Sequence, residues 1–243
     1  MTFKDQSSTT PLINFIRQNT TLSRRSIHNH IIQGMVTVNK IIIYDSTQPV
    51  SNKDIIELDK KRIKKEPLLY YKFNKPLNVI STMDDPQGRK SLLFFLKKHR
   101  LPLTLKPIGR LDRYSSGLLL FSNDGQFIQT VLHPKFLVPK QYKIGLNKPL
   151  LNEHKLKLMA GFFLEDGPVK IIFDDADSTS YFTVTISIGR NRILRRSFES
   201  FGYEVKELHR ITIGNLSIGG LKTGLFEQVE ERDIKKLVLN TRN

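Results

Sequence analysis

One stretch, residues 108–125 or IGRLDRYSSGLLLFSNDG, constrains the fold more than any other part of the chain. Its four consecutive apolar residues, Leu118–Phe121, make a run of strand length with no polar face. Such a run suits a buried strand. Just before it, Asp112 sits between Arg110 and Arg113, and Ser115, Ser116 and Gly117 complete the turn. The serines can tie the turn down, and a glycine lets another backbone approach closely. Two readings of Asp112 are open at this point. It is either part of a surface turn with incidental ion pairs, or an acid held ionised at the edge of the core. Nucleophilic or general-base work requires the second.

The remaining pattern divides the chain. Residues 1–10 are expected to be a flexible N-terminus, 11–60 a small first domain, 61–67 a charged linker and 68–243 a larger second domain. In the first domain, PLINFIRQN carries proline suited to a first helical turn, with Leu12, Phe15 and Ile16 on one face. SRRSIHNHIIQG opens on Ser23 as a helix cap and closes on Gly34, followed by strands that turn through Asn39-Lys40. The KKRIKKE stretch, dense in charge and followed by Pro67, reads as the linker. From residue 68 onward, strands are expected in LLYYKF, GLLLF, KQYKIGL, VKIIF and YFTVTISI. Helices are expected in SLLFFLKK, GQFIQTVL, NEHKLKLMA, NRILRRSFESF and ERDIKKLVL. There is no strict strand–helix alternation and no glycine fingerprint, so the fold class is α+β with a largely antiparallel sheet and flanking helices.

Charge and cysteine content narrow the chemistry. A formal charge of +16 across 243 residues points to a polyanionic partner. No apolar run approaches the ~20 residues of a membrane span, and the opening MTFKDQSSTT lacks the apolar core of a secretory signal. Nucleic acid is therefore favoured over membrane. The absence of cysteine excludes disulfides, zinc–thiolate sites and thiol nucleophiles, and fits a reducing compartment such as the cytoplasm. The six histidines show no metal-ligand spacing, and no phosphate-cradling loop of the GxxxxGK type is present.

Two basic constellations stand out. Arg24 and Arg25 occupy the first turn of the second helix, where the helix dipole disfavours cations, with Lys40 in the following turn. Phosphate contact explains them better than local stability does. Further on, Arg190, Arg192, Arg195 and Arg196 fall within seven residues. On a helix starting near Asn191, Arg192, Arg195 and Arg196 lie close together and repel unless anions face them. RNA phosphate is one such anion and a protein carboxylate is another.

The Asp112 stretch as a whole, GRLDRYSSGLLLFSNDG, closely resembles the signature of the RsuA/RluB-type pseudouridine synthases. YYKFNKPLNVISTMDDPQGR, PKQYKIGL and GRNRILRRSFESFGYEVKELHRITIGNLSIGGLKTG resemble further blocks of that family, in its order. Residues 11–58 resemble the small alpha-L RNA-binding domain that precedes the catalytic domain. The resemblance implies Asp112 as catalytic aspartate, Tyr142 as active-site tyrosine and Arg195 as the arginine paired with Asp112, with Arg110 and Leu194 beside the site. It also implies RNA contacts from Arg24, Arg25, Lys40, Lys75, Arg190, Arg192 and Arg196. The implied activity is isomerisation of a uridine in ribosomal RNA, with 23S RNA favoured over 16S by FFLEDGPVK. The implied partner is ribosomal RNA or a ribosome-assembly intermediate, met by a monomer in the cytoplasm, with neither metal nor cofactor. A non-catalytic RNA-binding assembly protein is the alternative. The chain departs from the family pattern at Ile193, Leu194, Ser197, Ser115 and Lys40.

Overall fold

The computed structural model describes residues 9–51, 53–176 and 178–240. These form two compact units. The first takes the described residues up to Leu68, with 102–105 and 123–125, and the second takes the rest.

The first unit contains β1 (Thr10–Pro11), α1 (Leu12–Asn19), α2 (Arg24–Ile32), β2 (Val36–Val38), β3 (Ile41–Ile42), β4 (Pro49–Val50), β5 (Ile56–Leu58) and β6 (Lys61–Arg62). Strands β3, β2, β5 and β6 make an antiparallel sheet in that order. Leu12 and Ile16 of α1 pack with Ile27 and Ile31 of α2 and with Val36 and Ile56, all buried. Ser23 caps α2 by accepting a hydrogen bond from the Ser26 N–H at 3.1 Å. Two expectations change. Of the flexible stretch expected over 1–10, residues 1–8 lie outside the described residues, while Thr10 pairs with Val50 in β1–β4. The expected linker at 61–67 begins as strand β6, paired with β5. Asp59 and Lys60 connect those strands with φ of 49° and 64°, the left-handed pair of a tight hairpin turn. Charge alone did not distinguish hairpin from linker. Asn39-Lys40 turns in the same way, so Lys40 adopts φ 71° where glycine would be unstrained.

In the second unit the strands are β7 (Tyr70–Lys75), β8 (Lys106–Ile108), β9 (Ser116–Ser122), β10 (Lys140–Leu146), β11 (Phe162–Leu164), β12 (Gly167–Val169), β13 (Ile172–Ala176), β14 (Tyr181–Ile186), β15 (Val205–Ile213), β16 (Leu216–Ser217) and β17 (Phe226–Gln228). The helices are α3 (Leu92–Lys98), α4 (Gly125–Leu132), α5 (Asn152–Ala160), α6 (Ile193–Glu199) and α7 (Glu231–Asn240). Nine strands form one sheet in the order β13-β14-β10-β15-β9-β7-β17, with β16 on β15 and β8 on β9. Every pairing is antiparallel except β9 with β15. Strands β11 and β12 form a separate hairpin.

The apolar run Leu118–Phe121 belongs to β9, which lies inside the sheet between β7 and β15. Leu118 and Leu120 pack into a cluster with Phe127 and Val131 of α4 and with Ile234 and Leu237 of α7. The alternating residue Phe121 meets Phe73 at 6.0 Å and Phe226 at 5.4 Å between ring centroids, and Phe73 meets Phe95 of α3 at 5.2 Å. Both faces of β9 are covered, as a strand without a polar side requires.

Candidate active site

The turn from Leu111 to Ser115 leads into β9, and each of its five backbone carbonyls accepts a hydrogen bond. Ser81 Oγ donates to Leu111 O at 2.6 Å and accepts from Leu111 N–H at 3.1 Å. Ser115 N–H donates to Asp112 O at 3.0 Å, and Asn78 N–H donates to Arg113 O at 2.8 Å. The Lys75 ammonium donates to Asp112 O at 3.1 Å, Ser115 O at 2.7 Å and Pro76 O at 3.1 Å. Arg195 Nη2 donates to Tyr114 O at 2.6 Å, while its Nη1 donates to Val205 O at 2.5 Å. This leaves the half-buried Asp112 side chain on an immobilised backbone. Among the described residues, no hydrogen bond is made to its carboxylate, and no ion pair of 4.0 Å or less reaches it.

A second group lies along one rung of the sheet. Lys75 of β7 faces Gly117 of β9, Gly117 faces Arg210 of β15, and Arg210 faces Tyr142 of β10. Gly117, with φ 102°, allows this crossing. A Cβ there would stand 2.3 Å from the Arg210 carbonyl oxygen and 2.6 Å from its nitrogen. Lys75, Arg210 and Tyr142 are 0%, 4% and 7% exposed. Arg210 Nε donates to Leu118 O at 2.7 Å, and its Nη1 donates to the Tyr142 hydroxyl at 3.3 Å.

Burial governs the ionisation of these cations. It pulls Lys75 down to about 8, with Asp112 opposing and Arg210 reinforcing the shift. Lys140, two residues before Tyr142, is likewise at about 8 through burial and Arg210. Arg195 is lowered by burial and Arg192, while Asp112 opposes. Asp112 therefore lies in the field of two buried cations, Lys75 and Arg195, without being clamped by either.

Several expected roles change. Lys75, expected to touch RNA, is fully buried and holds the turn from behind. Arg195, expected to pair with Asp112, binds backbone carbonyls instead, because its guanidinium is committed to Tyr114 and Val205. Of the arginines expected to face RNA, Arg190 and Arg196 both reach Asp166 of the β11–β12 turn, at 3.0 and 2.6 Å. Arg196 is the main cause of a lowered pKa at Asp166. Arg192 reaches Glu199 at 3.3 Å, and it precedes α6 rather than sharing its face. The anions opposite this cluster are protein carboxylates. Lys40 is paired with Glu57 at 2.7 Å. Arg24 and Arg25 are exposed, and among the described residues no ion pair engages them. Arg110 is exposed, Arg113 lies 5.4 Å from the centre of the Tyr114 ring, and Leu194 is buried in α6.

Sequence reasoning missed Ser81, Asn78, Arg210 and Asp166. A signal existed for Arg210, since it stands two residues after Leu208 at an inward position of an alternating strand. No pattern marks Ser81 or Asn78. The hydroxyl expected to tie the turn is that of Ser81, not those of its own serines. Ser115 Oγ is buried without a partner among the described residues, and Ser116 Oγ bonds His209 Nδ1 at 2.9 Å.

Comparison with known proteins places the chain in a family. Residues 70–200 match the family model of RNA pseudouridylate synthase. The chain is 36% identical over 221 residues to ribosomal large subunit pseudouridine synthase B of Bacillus subtilis (strain 168), covering 88% of this chain and 90% of that protein. It is 31% identical over 231 residues to an uncharacterized RNA pseudouridine synthase of Aquifex aeolicus (strain VF5), covering 92% of this chain and 91% of the relative. Among solved structures, a crystal structure of pseudouridylate synthase matches with a TM-score of 0.67 and 27% identity, over 94% of this chain and 99% of the other. The chain belongs to the RNA pseudouridylate synthase family, within it to the RsuA/RluB type that its Asp112 signature resembles, and is an RNA pseudouridine synthase.

Proposed function

We propose that this protein converts one specific uridine of large-subunit ribosomal RNA to pseudouridine, with Asp112 as nucleophile. The observation that carries the role of Asp112 is the set of five engaged carbonyls from Leu111 to Ser115. They fix the backbone around one carboxylate and leave that carboxylate unbonded. Preorganisation of this kind costs stability locally and is useful where a reacting atom must be met at a set place. The large-subunit target rests on the name of the Bacillus relative.

In this reading the uridine leaves its stack, at a cost of a few kcal/mol offset by contacts to base and phosphates. The bond from uracil nitrogen 1 to ribose carbon 1′ breaks, the base rotates, and a bond from carbon 5 to carbon 1′ forms. The proton on carbon 5 leaves and nitrogen 1 gains one, so the atoms balance with no redox step and no added group. Asp112 attacks either the sugar or a base-derived intermediate. Tyr142 stacks on the base and acts near the carbon 5 proton. Residues 11–60 serve as an alpha-L-type RNA-binding domain, with Arg24 and Arg25 toward phosphate, and residues 68–243 as the catalytic domain. The protein acts in the cytoplasm as a monomer.

The test is Asp112→Asn, which keeps the shape and removes the charge. Pseudouridine formation is expected to fall by on the order of a thousandfold or more. A variant that works at the normal rate removes Asp112 from the role of nucleophile. Mapping pseudouridines in ribosomal RNA from cells lacking the protein identifies the target. A site lost from the small subunit overturns the large-subunit assignment, and no lost site favours a non-catalytic RNA-binding protein.

A further inference from the structure

Arg210 is a buried charged group of the second unit with no role in the reading above. It is 4% exposed, and one of its nitrogens, Nη2, is buried without an acceptor among the described residues. A buried guanidinium with an unmet donor costs stability, and an apolar residue of similar size would fill the same space without that cost. Stability alone therefore does not account for it. Its other nitrogens are specific. Nε holds Leu118 O at 2.7 Å, in the strand directly behind the Asp112 turn, and Nη1 donates to the Tyr142 hydroxyl at 3.3 Å. Its carbon Cζ lies 5.8 Å from the centre of the Tyr142 ring. Its backbone packs against Gly117, where no side chain fits. One guanidinium thus ties the strand that follows the Asp112 turn to the phenol oxygen of Tyr142.

We propose that Arg210 is a positioning residue for the carbon 5 proton step, acting through Tyr142. It keeps the phenol oxygen in one place and in one hydrogen-bonding role, as acceptor from a cation. A fixed positive charge beside that oxygen stabilises negative charge that develops on it while the proton is being transferred. The charged groups around it are Lys75 from β7, whose charge bears on Arg210 across the sheet, and Lys140 from β10. The inference rests on the reading of Tyr142 as the group near carbon 5.

The test compares Arg210→Lys and Tyr142→Phe on RNA carrying either hydrogen or deuterium at carbon 5 of the target uridine. Arg210→Lys is expected to lower kcat about tenfold, leave KM for RNA within about twofold, and make kcat sensitive to the deuterium. A residue with a merely structural role changes KM or melting temperature and brings no isotope sensitivity, and that result overturns the proposal. If lysine destabilises the fold, Arg210→Gln keeps an N–H donor without the charge and is judged by the same isotope reading. Tyr142→Phe separates the two ideas. A wild-type rate in that variant overturns the Tyr142 reading and this inference with it. A slow, isotope-sensitive Tyr142→Phe beside an isotope-insensitive Arg210→Lys overturns the Arg210 proposal alone.

Discussion

Lys75 shows how far a side chain's surroundings can redirect its chemistry. Its ammonium is enclosed and bonded to three carbonyls, two of them in the Asp112 turn. Burial brings its pKa from 10.5 to about 8. Below pH 8 the folded and unfolded chains both carry the proton, and the fold bears the full cost of a buried charge, on the order of 3 kcal/mol. Between about 8 and 10.5 the unfolded chain binds more protons, so this residue's contribution to stability rises with pH. Lys140 acts in the same direction over the same window. The hydrogen bonds to the turn weaken over that window, because a neutral amine is a poorer donor. Activity is therefore expected to fall as pH rises through about 8, while these two lysines push the melting temperature upward. Rate and thermal-melt profiles recorded between pH 7 and 10 check this, and parallel declines contradict it. Lys75→Met, which keeps the length and loses the charge, is expected to lower kcat at least about tenfold at pH 7. It should also flatten that alkaline limb.

At the scale of elements, the crossing of β9 and β15 is the point of least tolerance. Gly117→Ala places a methyl 2.3 Å from the Arg210 carbonyl oxygen, at a φ of 102° that alanine resists. A loss of several kcal/mol is expected, large enough to unfold a marginal domain. Urea titration of the variant reads it directly, and a change below about 1 kcal/mol contradicts the crossing as described. The sequence made much of this level legible. Apolar periodicity located α1 to α7, and the run Leu118–Phe121 announced a buried strand. The short strands β8 and β17 escaped because three residues carry no period, and β6 because its hairpin is written in charged residues. At the candidate site, the turn around Asp112 was legible because its motif is local. The burial of Lys75 was not, since lysine is rarely enclosed and its acceptors lie 37 and 40 residues away. The partner of Arg190 and Arg196 was equally hidden, in a hairpin 24 and 30 residues upstream.

Over the whole molecule, a net charge of +16 sets a strong, salt-sensitive attraction for RNA. That charge is not spent evenly. Arg190 and Arg196 share the single carboxylate of Asp166, whereas Arg24 and Arg25 are exposed and outside any ion pair among the described residues. Replacing Arg24 and Arg25 together by alanine is expected to flatten the dependence of log affinity on log salt by roughly 1.4–1.8. Replacing Arg190 should change it far less, and equal effects on a salt series contradict this division. The turn at Asp112 has one more consequence, in time. Its carbonyls are held by side chains as distant as Lys75 and Arg195, and the strand behind it pairs with Arg210. Asp112 therefore leaves the ribosome about a hundred residues before its setting is complete, a delay of roughly 5–20 s at ordinary rates of synthesis. On the proposed role of Asp112, a nascent chain in that interval carries the acid without the groups that hold its turn. A chain ending before Val205 is therefore expected to form no pseudouridine, which an assay of that truncated protein checks.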